Sequence, residues 1–107
     1  MKYFLLISTL VLMSCSSSKN TSTSSLDPDF KAKELYSKHC AECHANNRYG
    51  SMGPALLPDN LERIKKSDAL SITLKGRQAT QMPGFESQIK AEEAQLLIDY
   101  LYRPLSE

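Results

Sequence analysis

The sequence predicts a small all-α domain in which the first and last helices cross. Two segments, from Asp27 to about Cys40 and from about Ala91 to Arg103, place their apolar residues at helical spacing. Prolines and glycines interrupt the chain between these segments, and the sequence has no alternating pattern typical of strands. A length of 107 residues predicts a single folded domain.

The first predicted helix begins at a capping sequence. Asp27 can accept a hydrogen bond from the first turn, Pro28 suits the first helical position, and Asp29 lies at the positive end of the helix dipole. The apolar face of this helix consists of Ala32, Leu35, Tyr36 and Cys40. The helix therefore leads directly into the motif that follows it.

The segment from Cys40 to His44 reads C-x-x-C-H, which is the attachment signal for a c-type haem. The thiols of Cys40 and Cys43 can add to the two vinyl groups of one haem, and His44 then supplies an imidazole ligand to the iron. A thioredoxin-like redox pair is an alternative, but it is typical of a βαβ pattern. A zinc site is another alternative, but it needs four ligands and His39 is the only other histidine.

A loop is predicted from Asn46 to Asn60, because two glycines and two prolines interrupt it. Pro54 lies ten residues after His44, so its backbone carbonyl can reach the second ring nitrogen of that histidine. A metal-ligating histidine commonly donates this second N–H to a carbonyl, which fixes the orientation of the ring. Pro54 is therefore predicted to orient the iron ligand.

Two short helices are predicted next, at 61–66 and 68–75, and Gly76 ends the second. The apolar side chains expected in the haem pocket or the core are those of Leu61, Ile64, Leu70, Ile72 and Leu74.

The sixth iron ligand follows from the few candidates in the sequence. A second imidazole is not expected, because His39 adjoins the anchored Cys40. Two of the four methionines lie in the first 13 residues, which are expected to be removed after export. Met52 is only eight residues beyond His44 and is expected on the same side of the haem, whereas Met82 lies in a later loop that can reach the other face. His/Met ligation would leave no open position at the iron, which favours an electron carrier over an oxygen or peroxide enzyme.

The last predicted helix runs from about Ala91 to Arg103, and Pro104 ends it. Its apolar face consists of Ala94, Leu97, Ile98 and Leu101. This face and that of the first helix are expected to cross, and the small side chain of Ala32 would permit close approach.

Residues 1–14 are predicted to be a lipoprotein signal peptide. Lys2 precedes an apolar run of 11 residues, Tyr3 to Met13, which is too short to span a bilayer. The sequence Leu-Met-Ser-Cys that ends at Cys15 resembles the lipobox of bacterial lipoproteins, so Cys15 is the expected lipidation site. An ordinary signal peptide with a chance cysteine is the alternative, but an unpaired thiol is a liability in an exported protein.

Residues 15–28 are predicted to contain the lipidated cysteine and a flexible tether rich in Ser and Thr, followed by the haem domain at 29–107. The domain would then lie in the periplasm, anchored to a bacterial membrane. Ser16 after the cysteine favours the outer membrane by the sorting rule of enteric bacteria. A formal charge of +1, from 13 basic and 12 acidic residues, gives no reason to expect a nucleic-acid partner.

These motifs resemble the class I cytochromes c over residues 29–103. The family has a small residue and an apolar–aromatic pair in its first helix, which Ala32, Leu35 and Tyr36 match. The matched haem anchors, proximal ligand, orienting proline and distal ligand are Cys40, Cys43, His44, Pro54 and Met82. The resemblance implies the class I cytochrome c fold, with crossed N- and C-terminal helices around one covalently bound haem c.

Two segments, 53–61 and 76–85, resemble more narrowly the cytochrome c domain of proteins allied to cytochrome cd nitrite reductase. This resemblance implies a single-electron carrier that serves denitrification or d-type haem assembly, with a nitrite reductase or a d-type haem enzyme as redox partner. Larger relatives continue into a propeller that carries the d-type haem, whereas this sequence ends at Glu107, so neither enzyme activity nor a small-molecule substrate is expected. An accessory or assembly factor and a gas-binding haem sensor are the alternatives.

Overall fold

The computed structural model describes residues 27–105, so the predictions for the signal peptide, for Cys15 and for most of the tether lie outside the described residues. The five helices in this range are α1 (Pro28–His39), α2 (Ala41–His44), α3 (Pro58–Leu61), α4 (Lys66–Lys75) and α5 (Ala91–Tyr102). Residues 27–105 contain no strand, which confirms the all-α prediction. None of these helices is both long and apolar enough to cross a bilayer.

Helix α1 begins with the predicted cap. The Asp27 side chain accepts a hydrogen bond of 2.9 Å from the backbone N–H of Asp29, and Pro28 occupies the first helical position. The helix ends at His39, and the N–H of Cys40 still donates to the Tyr36 carbonyl. The cap therefore satisfies a backbone donor in the first turn of the helix that leads to Cys40.

Helix α5 begins without the Ser or Thr cap that is common at helix starts. Glu93 replaces that cap, because its carboxylate accepts a hydrogen bond of 3.0 Å from the backbone N–H of Lys90. This bond and nearby Lys31 lower the pKa of the Glu93 carboxyl. The buried residues of α5 are the predicted ones, Ala94, Leu97, Ile98 and Leu101.

The core lies where α1 crosses α5. One cluster of buried side chains contains Tyr36, Leu61, Leu97 and Leu101, and a second contains Leu35, Ile89 and Ala94. Ala32 and Ala94 have no exposed surface, so each helix contributes a small, fully buried residue to this core. An ion pair between Arg103 and Asp29 joins the first residue after α5 to the first turn of α1.

The two central helices differ from the prediction. The chain is extended at Leu57 and helical from Pro58, because the helical conformation is unfavourable for a residue that precedes a proline. Residues 62–65 are not α-helical, and α4 begins at Lys66, two residues earlier than predicted. The carbonyl of Ile64 accepts a hydrogen bond of 2.7 Å from the Tyr102 hydroxyl, so α5 holds this connection.

We predict that Ala32→Leu destabilises the haem-loaded protein by about 1–3 kcal/mol, because added methyl groups overpack a buried crossing. Denaturant unfolding of the purified protein measures this change. Lys33→Leu, at an exposed position of the same helix, is the control and should leave stability nearly unchanged. Equal stabilities of the two variants would show that α1 and α5 do not depend on close approach at Ala32.

Candidate haem site

A cavity of about 470 Å³ lies between the crossed helices and the loops that connect α2, α3, α4 and α5. Cofactor and ligand sites typically measure about 300–1,000 Å³. The structure brings all five predicted site residues to its walls: Cys40, Cys43, His44, Pro54 and Met82. Apolar side chains from three helices complete the walls, among them Leu61, Ile72 and Leu97. A flat apolar macrocycle fits such a space.

Cys40 caps the start of the single turn of α2, and Cys43 lies within that turn. The N–H groups of Cys43 and His44 both donate to the Cys40 carbonyl, at 3.2 and 3.0 Å, which winds the motif into a tight turn. Cys40 is partly buried and Cys43 is exposed. Burial, with a smaller effect of Cys43, raises the pKa of the Cys40 thiol to about 11. The two sulfurs therefore occupy an inner and an outer position along one wall of the cavity.

The His44 side chain is buried, with 7% of its surface exposed. Its Nδ1–H donates a hydrogen bond of 2.7 Å to the Pro54 carbonyl, which is the contact expected from the sequence. A carbonyl oxygen only accepts, so Nδ1 carries the proton in this contact and Nε2 is the nitrogen left to bind iron. The ring is held in the orientation and tautomer that an iron ligand requires.

Gly53 contributes to the site in a way that the sequence analysis missed. A Cβ atom at this position would lie 2.7 Å from Cε1 and 2.9 Å from Nδ1 of His44. The N–H of Gly53 also donates to the Cys43 carbonyl at 2.8 Å, so the loop folds back against α2. Only glycine leaves room for the imidazole here, although a Gly-Pro pair by itself signals no more than a turn.

Tyr36 also does more than the predicted core packing. Its hydroxyl donates a hydrogen bond of 2.6 Å to the carbonyl of Ala45, the residue after His44. Ala45 has a positive φ of 64°, which non-glycine residues seldom adopt. The tyrosine of α1 therefore supports the backbone where the chain leaves the haem motif.

Met82 is half-buried and lies in the loop that follows α4. This loop is fixed to the end of α4, because the N–H groups of Phe85 and Glu86 donate to the carbonyls of Thr73 and Leu74, each at 3.0 Å. These bonds satisfy helix carbonyls that otherwise lack partners. A loop fixed in this way holds the methionine at the cavity wall.

Gly84 makes the close approach of that loop possible. A Cβ atom at Gly84 would lie 2.5 Å from the carbonyl oxygen of Leu74. Gly76, with a φ of 81°, makes the preceding turn. These two glycines set the path of the chain on both sides of Met82.

The two other candidate ligands also line the cavity. Met52 is 72% exposed and directly precedes Gly53, which contacts the His44 ring. The His39 ring packs edge-on against Phe85, with ring centroids 5.5 Å apart. His39 thus lies beside the loop of Met82, although the next residue in the sequence is the haem anchor Cys40.

The fold and the cavity define a c-type cytochrome domain. The family described as cytochrome C oxidase, cbb3-type, subunit III has a model that matches residues 30–101, and the chain belongs to this family. Its cofactor is one covalently attached haem c, as predicted. The redox-pair and zinc interpretations of the C-x-x-C motif are therefore excluded.

The chain is similar to a dihydro-heme d1 dehydrogenase of Pseudomonas aeruginosa, with 46% identity over 69 residues. These residues are 64% of this chain but only 14% of that protein. The structure of the dihydro-heme d1 dehydrogenase NirN in complex with DHE has a TM-score of 0.69 and 42% identity, and the alignment covers 72% of this chain and 16% of that chain. The similarity is therefore confined to a small part of the dehydrogenase.

The structure of the c-type cytochrome NirC matches over most of its own length. Its TM-score is 0.63 at 30% identity, and the alignment covers 67% of this chain and 85% of that one. The predicted class I cytochrome c fold is confirmed, and so is the predicted relationship to cytochromes associated with d-type haem proteins.

We predict that Gly53→Ala displaces the His44 ring and weakens its bond to the Pro54 carbonyl, since the new Cβ would overlap the imidazole. The expected cost in stability is about 1–3 kcal/mol. Denaturant unfolding measures this cost, and the electron paramagnetic resonance spectrum of the oxidised protein should change as the imidazole turns. Ser51→Ala, at an exposed position of the same loop, is the control. A spectrum identical to that of the control would contradict the proposed role of Gly53.

Proposed function

We propose that this protein is a periplasmic single-electron carrier whose haem iron is ligated by His44 and Met82. The observation that carries the proposal is that both side chains reach one cavity, His44 with its Nε2 free and Met82 on a loop fixed to α4. These two residues would occupy both axial positions of the iron. An iron with two protein ligands has no open position for a substrate, and a thioether ligand raises its reduction potential.

The bound haem supplies one-electron exchange, and the chain supplies its surroundings. Cys40 and Cys43 hold the ring edge, and His44 is kept in one orientation by the Pro54 carbonyl. Apolar side chains from α3, α4 and α5 exclude water from the inner face. Such a rigid site changes little between oxidation states, which favours fast electron transfer.

We predict that Met82→Ala abolishes the long-wavelength thioether-to-iron charge-transfer band of the oxidised protein and lowers its reduction potential. Met52→Ala is the matched control, because Met52 also lines the cavity but is largely exposed. Absorption spectra and a redox titration of both variants provide the measurement. A band that survives in Met82→Ala, or that disappears only in Met52→Ala, would refute the assignment of Met82.

The proposed redox partners are enzymes of denitrification or of d-type haem assembly. Similarity to NirC and to a dihydro-heme d1 dehydrogenase supports this context. Arg77 is exposed and lines the cavity, where its charge can steer an acidic partner towards the haem. Stopped-flow mixing of the reduced protein with a cytochrome cd nitrite reductase should give rapid, salt-dependent reoxidation, and reoxidation no faster than that by a buffer blank would count against this partner.

A second proposal is an accessory role in d-type haem assembly or a gas-binding sensor. It is supported by the dehydrogenase named among the relatives, although the matched segment is a minor part of that protein. This role would require an iron position that a small molecule can enter. The fixed loop around Met82 favours the carrier instead.

We further propose that Cys15 anchors the protein to a membrane, with the outer membrane favoured by Ser16. Metabolic labelling with an alkyne fatty acid in a bacterial host should label the full chain and the control Ser18→Ala, but not Cys15→Ser. Density-gradient fractionation then identifies the membrane. An unlabelled wild-type chain would indicate an ordinary signal peptide.

A further inference from the structure

Arg48 is a buried cation without a counter-charge in the described part of the chain. Only 5% of its surface is exposed, and its Nη1 atom has no hydrogen-bond partner. No ion pair within residues 27–105 includes it. Its guanidinium lies 5.1 Å from the centre of the Tyr100 ring of α5, where the ring face attracts the cation.

Such an arrangement costs free energy, because a charge removed from water is stabilised only by good partners. Arginine cannot relieve this cost by losing its proton, since its guanidinium remains charged in proteins. The backbone at Arg48 also has a positive φ of 66°. A buried unpaired group in an unfavourable backbone conformation calls for a physical explanation.

The backbone of Arg48 connects the two segments that hold His44. Its N–H donates to the Ala45 carbonyl at 3.1 Å, and its carbonyl accepts a hydrogen bond of 2.8 Å from the N–H of Leu56. Leu56 lies two residues after Pro54, whose carbonyl orients the imidazole. The Arg48 side chain, which packs on the Tyr100 ring, attaches this loop to α5.

The charge of Arg48 also acts close to the haem motif. Burial is the main reason that the pKa of Tyr36 is raised to about 12, and the Arg48 charge opposes this increase. The Tyr36 hydroxyl donates to the carbonyl of Ala45, directly after His44. The Arg48 charge therefore acts on a tyrosine that is hydrogen-bonded to the backbone next to the proposed iron ligand.

We propose that Arg48 is a positioning residue for His44 and that its unpaired buried charge raises the reduction potential of the haem. Oxidation removes one electron from the iron and adds one positive charge to the cofactor, without making or breaking a bond to the protein. A nearby buried cation disfavours that added charge and so stabilises the reduced form. This inference rests on the proposed ligation of the iron by His44.

The test is the reduction potential of haem-loaded Arg48→Met, measured by spectroelectrochemical titration. Arg63→Met is the matched control, because Arg63 is exposed. We expect the potential of Arg48→Met to be lower than that of the control, and the potential of Arg48→Lys to remain near that of the wild type. If Arg48→Met does not retain haem, Arg48→Gln removes the same charge while keeping a planar polar group for Tyr100.

A second measurement reports the positioning role. Proton exchange at His44 Nδ1–H, followed by nuclear magnetic resonance of the reduced protein, should be faster in Arg48→Lys, because an ammonium group cannot stack on Tyr100 as a guanidinium does. A neutral variant with the potential of Arg63→Met would overturn the inference while leaving the ligation by His44 intact. If the wild-type protein instead shows no spectroscopic sign of an imidazole bound to iron, the proposed function itself is overturned.

Discussion

The hydrogen bond from His44 Nδ1–H to the Pro54 carbonyl is the interaction on which the site depends. It determines the protonated nitrogen, the plane of the ring and the direction of the free Nε2. The surrounding contacts maintain it: Gly53 leaves room for the ring, and the Gly53 N–H holds the loop to α2. A single misplaced methyl group in this region would disturb the only described histidine whose ring is held by a backbone carbonyl.

The scaffold explains why this bond can persist in so small a domain. The crossing of α1 and α5 supplies most of the buried side chains. One tyrosine from each helix also contacts the chain that follows His44: Tyr36 bonds to Ala45, and Tyr100 contacts Arg48. The loop of Met82, which also lines the cavity, donates hydrogen bonds to the carbonyls at the end of α4. The same arrangement thus occurs twice in the domain: a loop donates backbone N–H groups to the carbonyls at the end of the preceding helix.

Local patterns were sufficient to predict much of this arrangement. The Asp27 cap and the apolar face of α5 indicated the two crossing helices. The C-x-x-C-H motif indicated the haem, and sequence separation from His44 then indicated the orienting carbonyl and the second iron ligand. Contacts between distant segments were not predictable in the same way. The connection after α3 depends on Tyr102, and the burial of Arg48 depends on a tyrosine 52 positions later. No periodicity in the sequence encodes these pairings, and a charged residue in a polar loop gives no sign that it will be buried.

The proposed ligation by His44 and Met82 implies an iron that exchanges electrons but does not bind small molecules. The direct measurement is carbon monoxide titration of the reduced wild-type protein, followed by its absorption spectrum. Ligation from both sides predicts little or no binding at a concentration that saturates a five-coordinate haem protein. Rapid, stoichiometric formation of a carbon monoxide complex would show that one axial position is open and would contradict the account.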